Sequence, residues 1–403
     1  MDYGLYIHLP YCRSLCPYCA FAKAPLHHAE PERLLRALAR EWELARAEAP
    51  EAWRAGKPRT VFVGGGTPTA LDPGTLLRFL EWTRGLLGAT RVREWTVEAN
   101  PEGLTDEKMA ILREGGVDRL SLGIQSVEPD VLRVLGRIHS AERALDALDR
   151  ARAAGFTKLS ADLMAGVPGE TAEGFAAGLE RVIARGVTHV SLYALQVEPG
   201  TPLHAKAARG AFVPLPDDVA GARYEDAAEI LQRAGFSRYE VSSWAKPGFE
   251  SRHNEGYWIR RPYLGLGPGA HSFDGRRRWG NEENVTRYYE TLEAGDLPRL
   301  ETCEVTDEAA REEAVFLGLR RARGVRRTAV TQAAPRTAAS WLRWAEDAGA
   351  IRAGRARVRP TEHGLMTAVE TLAELFAREA ALPASGFHRV DSERVLTAGE
   401  GRV

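Results

Sequence analysis

Six short apolar runs alternate with amphipathic stretches over the first half of the chain. The runs are LYIHLP (5–10), TVFVGGG (60–66), EWTVEAN (94–100), RLSLGIQS (119–126), KLSADLMAGV (158–167) and HVSLYALQ (189–196). Each is too short for a helix and is bounded by Gly, Pro or Asp, so each predicts a strand. The stretches between them predict helices near 31–49, 74–87, 105–115, 129–153 and 171–185. Thr105 and Thr171 are expected to cap two of these helices. Because strand–helix–strand connections are right-handed, this α/β order predicts a parallel sheet in a partial (βα)6 barrel, with functional residues at the carboxyl ends of the strands.

The alternation stops near residue 200, where a proline-rich passage begins. We expect residues 1–200 to form the barrel and residues 201–300 to form an α+β second lobe, with a helix near 217–234. Residues 301–383 read as helix, short helix, helix and then a basic hairpin, an order that predicts a winged-helix-like C-terminal domain. The last residues, 384–403, show no periodicity and predict a flexible tail.

Charge and cysteine content restrict the partners and the compartment. The 403 residues carry a formal net charge of −1, so no overall field draws the chain to nucleic acid or to an anionic membrane. No apolar run approaches the roughly 18 residues of a membrane span, and the N-terminal segment has no leader pattern. Three of the four cysteines lie within eight residues, which is no disulfide framework and favours a reducing compartment. We expect a cytoplasmic protein that binds no nucleic acid and could form a homodimer.

Three cysteines, Cys12, Cys16 and Cys19, directly follow the first predicted strand. Three thiolates at this spacing suit three irons of a [4Fe–4S] cubane, and the fourth iron is then open to a small molecule. The alternative is a zinc site, which would need one further ligand. The nearby candidates for that ligand are His8, His27 and His28.

The pattern C-x-x-x-C-x-x-C after a first strand resembles the signature of the radical S-adenosylmethionine (SAM) superfamily. In that family the amino and carboxylate groups of the methionine part of SAM chelate the open iron, and reductive cleavage yields a 5′-deoxyadenosyl radical. The segment Gly64-Gly65-Gly66-Thr67-Pro68 ends the second strand and supports the resemblance, because a backbone without side chains can approach a ligand closely.

Nearly the whole chain is similar to the coproporphyrinogen dehydrogenase-like branch of this superfamily. The resemblance places Tyr6 near the cluster and Tyr18 beside the adenine of SAM. It also implies a set of residues that hold the methionine and ribose parts. That set comprises Gly65, Gly66, Thr67, Glu98, Gln125, Arg137 and Asp162.

Two departures separate this chain from the dehydrogenases of the branch. Those enzymes continue the motif to a further cysteine where this chain has Phe21, and they have an extension before the first strand. The string His253-Asn-Glu-Gly-Tyr-Trp and the C-P-Y-C-x-F form of the cluster loop instead resemble the HemW-like haem chaperones. Those chaperones often carry an acid at the position of Ala20, which puts any proton relay there in doubt. The resemblance implies that His253 is an axial haem ligand, and His271 is either a second ligand or a cap of its glycine-rich loop.

The sequence therefore predicts a radical-SAM-type haem chaperone that lacks coproporphyrinogen dehydrogenase activity. It would bind a [4Fe–4S] cluster, SAM and haem, and deliver haem to haem-requiring proteins such as respiratory enzymes. Three alternatives stay open. They are an oxygen-independent coproporphyrinogen III oxidase, a radical SAM methyltransferase that opens haem, and a DNA-binding regulator that uses the winged helix. Whether SAM is cleaved in each cycle also stays open.

Overall fold

The computed structural model of the chain describes residues 2–49 and 51–381. Its strands are β1 (Tyr3–Leu9), β2 (Tyr11–Cys12), β3 (Ala24–Pro25), β4 (Pro58–Gly65), β5 (Glu94–Ala99), β6 (Arg119–Gln125), β7 (Lys158–Ala165), β8 (His189–Ala194), β9 (Ser237–Glu240), β10 (Ser243–Ala245), β11 (Tyr263–Leu266), β12 (His271–Phe273), β13 (Arg277–Asn281), β14 (Arg299–Glu304), β15 (Val325–Arg326), β16 (Ile351–Ala353) and β17 (Arg357–Pro360). Its α-helices are α1 (Pro31–Glu48), α2 (Glu51–Arg54), α3 (Pro73–Leu87), α4 (Asp106–Gly115), α5 (Pro129–Val134), α6 (Ala141–Ala153), α7 (Ala172–Ala184), α8 (Pro202–Ala208), α9 (Asp217–Arg233), α10 (Arg252–Trp258), α11 (Val285–Glu293), α12 (Asp307–Gly318), α13 (Arg327–Ala333), α14 (Ala338–Asp347), α15 (Glu362–Met366) and α16 (Ala368–Ala381). The predicted tail, 384–403, lies outside the described residues.

The six predicted barrel strands pair side by side and in parallel. They lie in the order β1, β4, β5, β6, β7 and β8. β1 and β8 do not pair with each other, so the barrel is open. The predicted α/β class with a partial (βα)6 barrel is therefore confirmed. Because the strands are parallel, their carboxyl ends lie together at one edge of the sheet, which we call the carboxyl edge.

The segment 201–300 extends this same sheet on both sides. β10 pairs antiparallel with β8, and β9 pairs antiparallel with β10. On the other side β11 pairs parallel with β1 and is followed by β12, β13 and β14, each antiparallel to the strand before it. The result is a sheet of twelve strands. Side chains from this segment, such as Ile230, Trp244 and Leu266, join the core of the barrel. The domain boundary at residue 200 stays a prediction. Strands from the two sides of that boundary pair in one sheet.

Alternation along β1 illustrates how the core forms. Leu5, Ile7 and Leu9 are fully buried and pack in the core that the sheet shares with its helices. Tyr6 and His8 lie between them on the opposite, inner face of the barrel, because successive strand residues point to opposite sides. The inner face of the other strands carries polar residues, and these form the candidate site.

The helices follow the predicted pattern with one informative exception. Thr105 and Thr171 cap α4 and α7 by accepting hydrogen bonds from backbone N–H groups three residues later. The single helix predicted for 129–153 is instead two helices, α5 and α6, separated by Gly136, which has a φ of +66°. Arg137 lies in this interruption. No helix of the described residues is long and apolar enough to span a bilayer.

The C-terminal part packs around a second core. The order from α12 to β17 is helix, strand, helix, helix and hairpin, and β15, β17 and β16 form a small sheet. Trp341, Leu342 and Val358 are buried in this core. The winged-helix-like order predicted from the sequence is present. One wing arginine, Arg357, donates to the backbone carbonyls of Arg323 and Gly324 and so braces the hairpin.

Candidate cofactor site

The loop that carries the three cysteines is closed at its base. It begins at β2, which contains Cys12, and ends at β3, and these two strands pair in parallel as a small sheet of their own. Cys16 and Cys19 lie on a tight turn, in which the Cys19 N–H donates to the Cys16 carbonyl over 3.3 Å. All three thiols are half-buried and none is in a disulfide. The loop therefore presents three sulfurs beside the carboxyl edge.

Hydrogen-bond donors from the end of β4 and from the α5–α6 interruption face two of these sulfurs. The Thr67 hydroxyl donates to Cys12 Sγ over 3.6 Å, and Arg137 Nη1 donates to Cys16 Sγ over 3.4 Å. Burial raises the pKa of the Cys12 thiol to about 11. A desolvated thiol becomes a ligand only when positive charge compensates the thiolate, which cluster iron provides. Sulfurs that accept hydrogen bonds, with a guanidinium beside one of them, therefore fit cluster ligands.

Tyr18 within the loop and Tyr6 on β1 anchor the loop to the rest of the barrel. Tyr18 packs against the apolar group that includes Val131 and Met164, and burial raises the pKa of its hydroxyl. His8 Nε2 donates to the Ala22 carbonyl over 2.7 Å, because a carbonyl can only accept. His8 Nδ1 then accepts from the Tyr6 hydroxyl at 3.0 Å. His8, one of the alternative zinc ligands, thus ties the cluster loop to β1.

The glycines that end β4 are required by close approach. Gly65 has a φ of +100°, and a side chain there would place Cβ 2.4 Å from the His8 ring. A Cβ on Gly66 would lie 2.6 Å from the Pro10 carbonyl carbon. The Gly66 N–H donates to the Leu9 carbonyl over 2.8 Å. The end of β4 is therefore packed against the start of the cluster loop, backbone to backbone.

Two carboxylates, Glu98 and Asp162, lie on the inner face near the carboxyl edge. Burial, and then the charge of Asp162, raises the pKa of Glu98 to about 8, although the Gly65 N–H opposes this by donating to Glu98 over 3.2 Å. Burial also raises the pKa of Asp162 to about 6, opposed chiefly by hydroxyl donors such as Ser191 and Ser121. Ser121 Oγ lies 3.0 and 2.9 Å from the two Asp162 oxygens. Two neighbouring half-buried carboxyls of this kind suit a ligand that carries positive charge and hydroxyl groups, as SAM does.

Gln125 ends β6 in a strained conformation. Its φ is +62°, which is rare for a residue with a side chain. The Ser126 N–H donates to the Ile124 carbonyl over 2.8 Å, so Gln125 is the centre of a γ-turn. The register with β7 also shifts between Gly123 and Gln125. Strain and bulges concentrate at ligand sites, where they redirect a side chain.

Asn100, which the sequence analysis did not single out, connects the two sides of the site. It follows β5 and lies on the same face as Glu98, two residues earlier. Its Nδ2 donates to Thr67 Oγ1 over 2.8 Å, and its Oδ1 accepts from Arg137 Nη2 over 2.6 Å. Strand alternation from Glu98 was a signal in the sequence that could have identified it.

His253 lies at the other end of the sheet. Its Nδ1 is 2.9 Å from Thr60 Oγ1 and its Nε2 is 2.8 Å from the Tyr257 hydroxyl, so both ring nitrogens are engaged. The residue is 3% exposed, and burial lowers the pKa of its imidazole to about 3. Thr60 and Glu94, which contact His253, are at the amino ends of β4 and β5. The structure therefore does not bring His253 together with the three cysteines.

A buried ion pair holds the helix that carries His253. Glu94 and Arg119 are 1% and 2% exposed, and their Oε2 and Nε atoms are 3.1 Å apart. Glu94 also accepts from the backbone N–H groups of Arg252 and His253, the first residues of α10. His271, the other candidate haem ligand, is the first residue of strand β12 rather than part of a loop. It is half-buried and pairs with Gly280 of β13.

An open (βα)6 barrel with three cysteines after its first strand defines a protein of the radical SAM type. Residues 6–182 match the radical SAM superfamily. The chain is 40% identical over 328 residues to the heme chaperone HemW of Mycobacterium tuberculosis, an alignment that covers 80% of this chain and 83% of that protein. It is 36% identical to the heme chaperone HemW of Bacillus subtilis, over 79% of this chain and 84% of that protein. The chain therefore belongs to the HemW family of the radical SAM superfamily.

A solved structure supports the fold independently. The radical SAM enzyme coproporphyrinogen III oxidase (HemN) from Escherichia coli superposes with a TM-score of 0.79, over 93% of this chain and 90% of that chain. The two sequences are 21% identical, so this likeness concerns the fold alone. Membership of the superfamily implies a [4Fe–4S] cluster and SAM, and the thiol, glycine and carboxylate residues described above fit both.

Proposed function

We propose that this protein is a haem chaperone that binds a [4Fe–4S] cluster, SAM and haem, and transfers haem to haem-requiring proteins. The observation that carries the proposal is the similarity to HemW proteins over four fifths of the chain, together with the three-cysteine loop at the carboxyl edge. A cytoplasmic location, respiratory enzymes as recipients and a homodimer belong to the same proposal.

Within the proposed function, the chain's own residues hold the cofactors. Cys12, Cys16 and Cys19 ligate the cluster, which supplies an electron to the sulfonium of SAM when SAM is cleaved. Arg137 offers its guanidinium to the carboxylate of SAM. Asp162 accepts hydrogen bonds from ribose hydroxyls. Burial raises the pKa of Glu98 to about 8, and a bound cation would favour its ionised form.

A second set of proposals concerns the remaining predicted residues. Tyr6 and Tyr18 line the SAM site on the cluster side, and Gly65, Gly66 and Thr67 hold the methionine part. Gln125 contacts the same ligand from the end of β6. The packing of these residues around one strand edge supports these roles.

His253 is the proposed haem ligand, and its surroundings determine what ligation requires. To bind iron, Nε2 must exchange the Tyr257 hydroxyl for the metal. The imidazole is 3% exposed, so α10 must also move away from the amino ends of β4 and β5. A neutral imidazole is the protonation state that iron needs, and the lowered pKa of His253 maintains it.

A haem titration followed by absorbance tests the haem-binding proposal. We expect the wild type to bind haem with a shifted Soret band. His253→Gln should lose most of that shift, while His204→Ala, which removes an exposed imidazole from α8, should keep it. Transfer is measured as haem gained by an apo-haemoprotein that is mixed with the loaded chaperone. A wild type that neither binds nor transfers haem would exclude the proposed function, and equal spectra for wild type and His253→Gln would exclude only the ligand.

Enzymatic alternatives are tested with the reconstituted protein, SAM and a reductant. We expect no protoporphyrinogen from coproporphyrinogen III, because Phe21 stands where the dehydrogenases have a cysteine. We also expect haem to remain intact rather than to be opened. Formation of either product would replace the chaperone proposal with the corresponding enzyme.

A further inference from the structure

Asn100 joins the hydrogen bonds made to two of the cluster cysteines. Thr67, which donates to Cys12, accepts from Asn100 Nδ2 over 2.8 Å, and Arg137, which donates to Cys16, donates also to Asn100 Oδ1 over 2.6 Å. The chain of contacts therefore runs from one sulfur through three side chains to another sulfur.

The chemistry of each partner determines the orientation of the Asn100 amide. A guanidinium only donates, so Arg137 must face the amide oxygen, and the amide nitrogen must face Thr67. A threonine hydroxyl has a single proton. Because Thr67 Oγ1 accepts from Asn100, that proton is free to point at Cys12 Sγ. A carboxamide meets both requirements, because it donates through its nitrogen and accepts through its oxygen.

The surrounding backbone is shaped to admit this side chain. A Cβ on Gly123 would lie 2.7 Å from Asn100 Oδ1, so the glycine leaves room for the amide. The turn that follows β5 is closed by the Gly103 N–H donating to the Asn100 carbonyl over 3.1 Å. That bond uses the backbone of Asn100 and not its side chain. The side chain is therefore dispensable for the turn, and its two hydrogen bonds both lead to cluster cysteines.

We infer that Asn100 is a positioning residue that aims the Thr67 hydroxyl and the Arg137 guanidinium at the sulfurs of Cys12 and Cys16, and thereby sets the reduction potential of the cluster. The inference rests on the cluster assignment in the proposed function and does not depend on haem. Hydrogen bonds and positive charge at thiolates stabilise the more negative, reduced cluster. Loss of the Asn100 amide should therefore lower the midpoint potential.

The test is a redox titration of the anaerobically reconstituted full-length protein, followed by the electron paramagnetic resonance signal of the reduced cluster. The variants are Asn100→Leu, which is nearly isosteric and apolar, Asn100→Asp and Thr67→Val. Asn284→Ala, which removes an exposed helix cap, is the control. Iron and sulfide content and circular dichroism verify loading and folding for every protein.

The expected pattern separates positioning from general structural damage. Asn100→Leu should load a cluster with a lower midpoint potential and an altered signal. Asn100→Asp keeps the acceptor for Arg137 but removes the donor to Thr67 and adds a negative charge. That charge disfavours the more negative, reduced cluster, so this variant should lower the midpoint potential further. Thr67→Val should lower the potential less in the Asn100→Leu background than in the wild type, because the two side chains act through one hydrogen bond.

Two results would overturn the inference. One is a loaded Asn100→Leu or Asn100→Asp variant with the potential of the wild type. The other is an additive effect of Thr67→Val and Asn100→Leu. A wild type that assembles no cluster would instead overturn the proposed function, and the role of Asn100 with it.

Discussion

The ion pair between Glu94 and Arg119 should dominate the stability of the α10 region. Glu94→Gln keeps the shape of the side chain but removes its charge. The Arg119 guanidinium would still be 2% exposed. Among the described residues, its acceptors other than residue 94 are the backbone carbonyls of Phe249 and Glu250. Removing one partner of a buried pair costs about 3–5 kcal/mol, because the other charge is left uncompensated.

The expected shift in melting temperature follows from the size of the chain. At about 2.1 cal/mol/K per residue, the 403 residues give an unfolding entropy of about 0.85 kcal/mol/K if the chain unfolds as one unit. A loss of about 3–5 kcal/mol then lowers the Tm by about 4–6 °C. Circular dichroism during heating measures the Tm, and urea titration measures the free energy of unfolding.

A matched exposed pair provides the control. Glu48 is 58% exposed and lies 2.8 Å from Arg299, so Glu48→Gln should cost at most about 1 kcal/mol. If Glu94→Gln cost no more than this control, the buried pair would not be the anchor of α10. Glu94 also accepts from the His253 N–H. Under the proposed function, the Soret band of haem-loaded Glu94→Gln should therefore differ from that of the wild type.

Three further predictions concern the site. Gly66→Ala should reduce the iron and sulfide content of the reconstituted protein severalfold, because the new Cβ would lie 2.6 Å from the Pro10 carbonyl carbon. Cys16→Ala should lose most of the iron and sulfide, whereas Cys303→Ala should retain both, and a fully loaded Cys16→Ala would contradict the cluster assignment. The pKa of Glu98 is raised to about 8 in the folded state, so between about pH 4.5 and pH 8 Glu98 is ionised chiefly in the unfolded chain. The cofactor-free wild type should therefore lose stability as the pH rises through this range. Urea titrations at several pH values should show that the free energy of unfolding declines less with pH in Glu98→Gln than in the wild type. Parallel pH dependences for the two proteins would refute the raised pKa.

Local sequence patterns were enough to predict the frame of the molecule. The six barrel strands, the helix caps at Thr105 and Thr171 and the cysteine loop depend on periodicity and spacing over a few residues. Hydrophobic alternation acts between neighbours in the chain, so it can be read without knowledge of the rest. The carboxyl edge could also be predicted, because parallel strands place their ends together.

Only the tertiary structure decided which distant groups meet. Pairing of β11 with β1 and of β10 with β8 joins segments that are far apart in the chain, and no local pattern specifies such pairing. The same long-range packing places α10, and with it His253, at the amino ends of the strands, opposite the cysteines. The approach of Asn100 to Thr67 and Arg137 likewise combines two strand ends and the α5–α6 interruption, because each hydrogen bond depends on atoms that the fold brings within 3 Å.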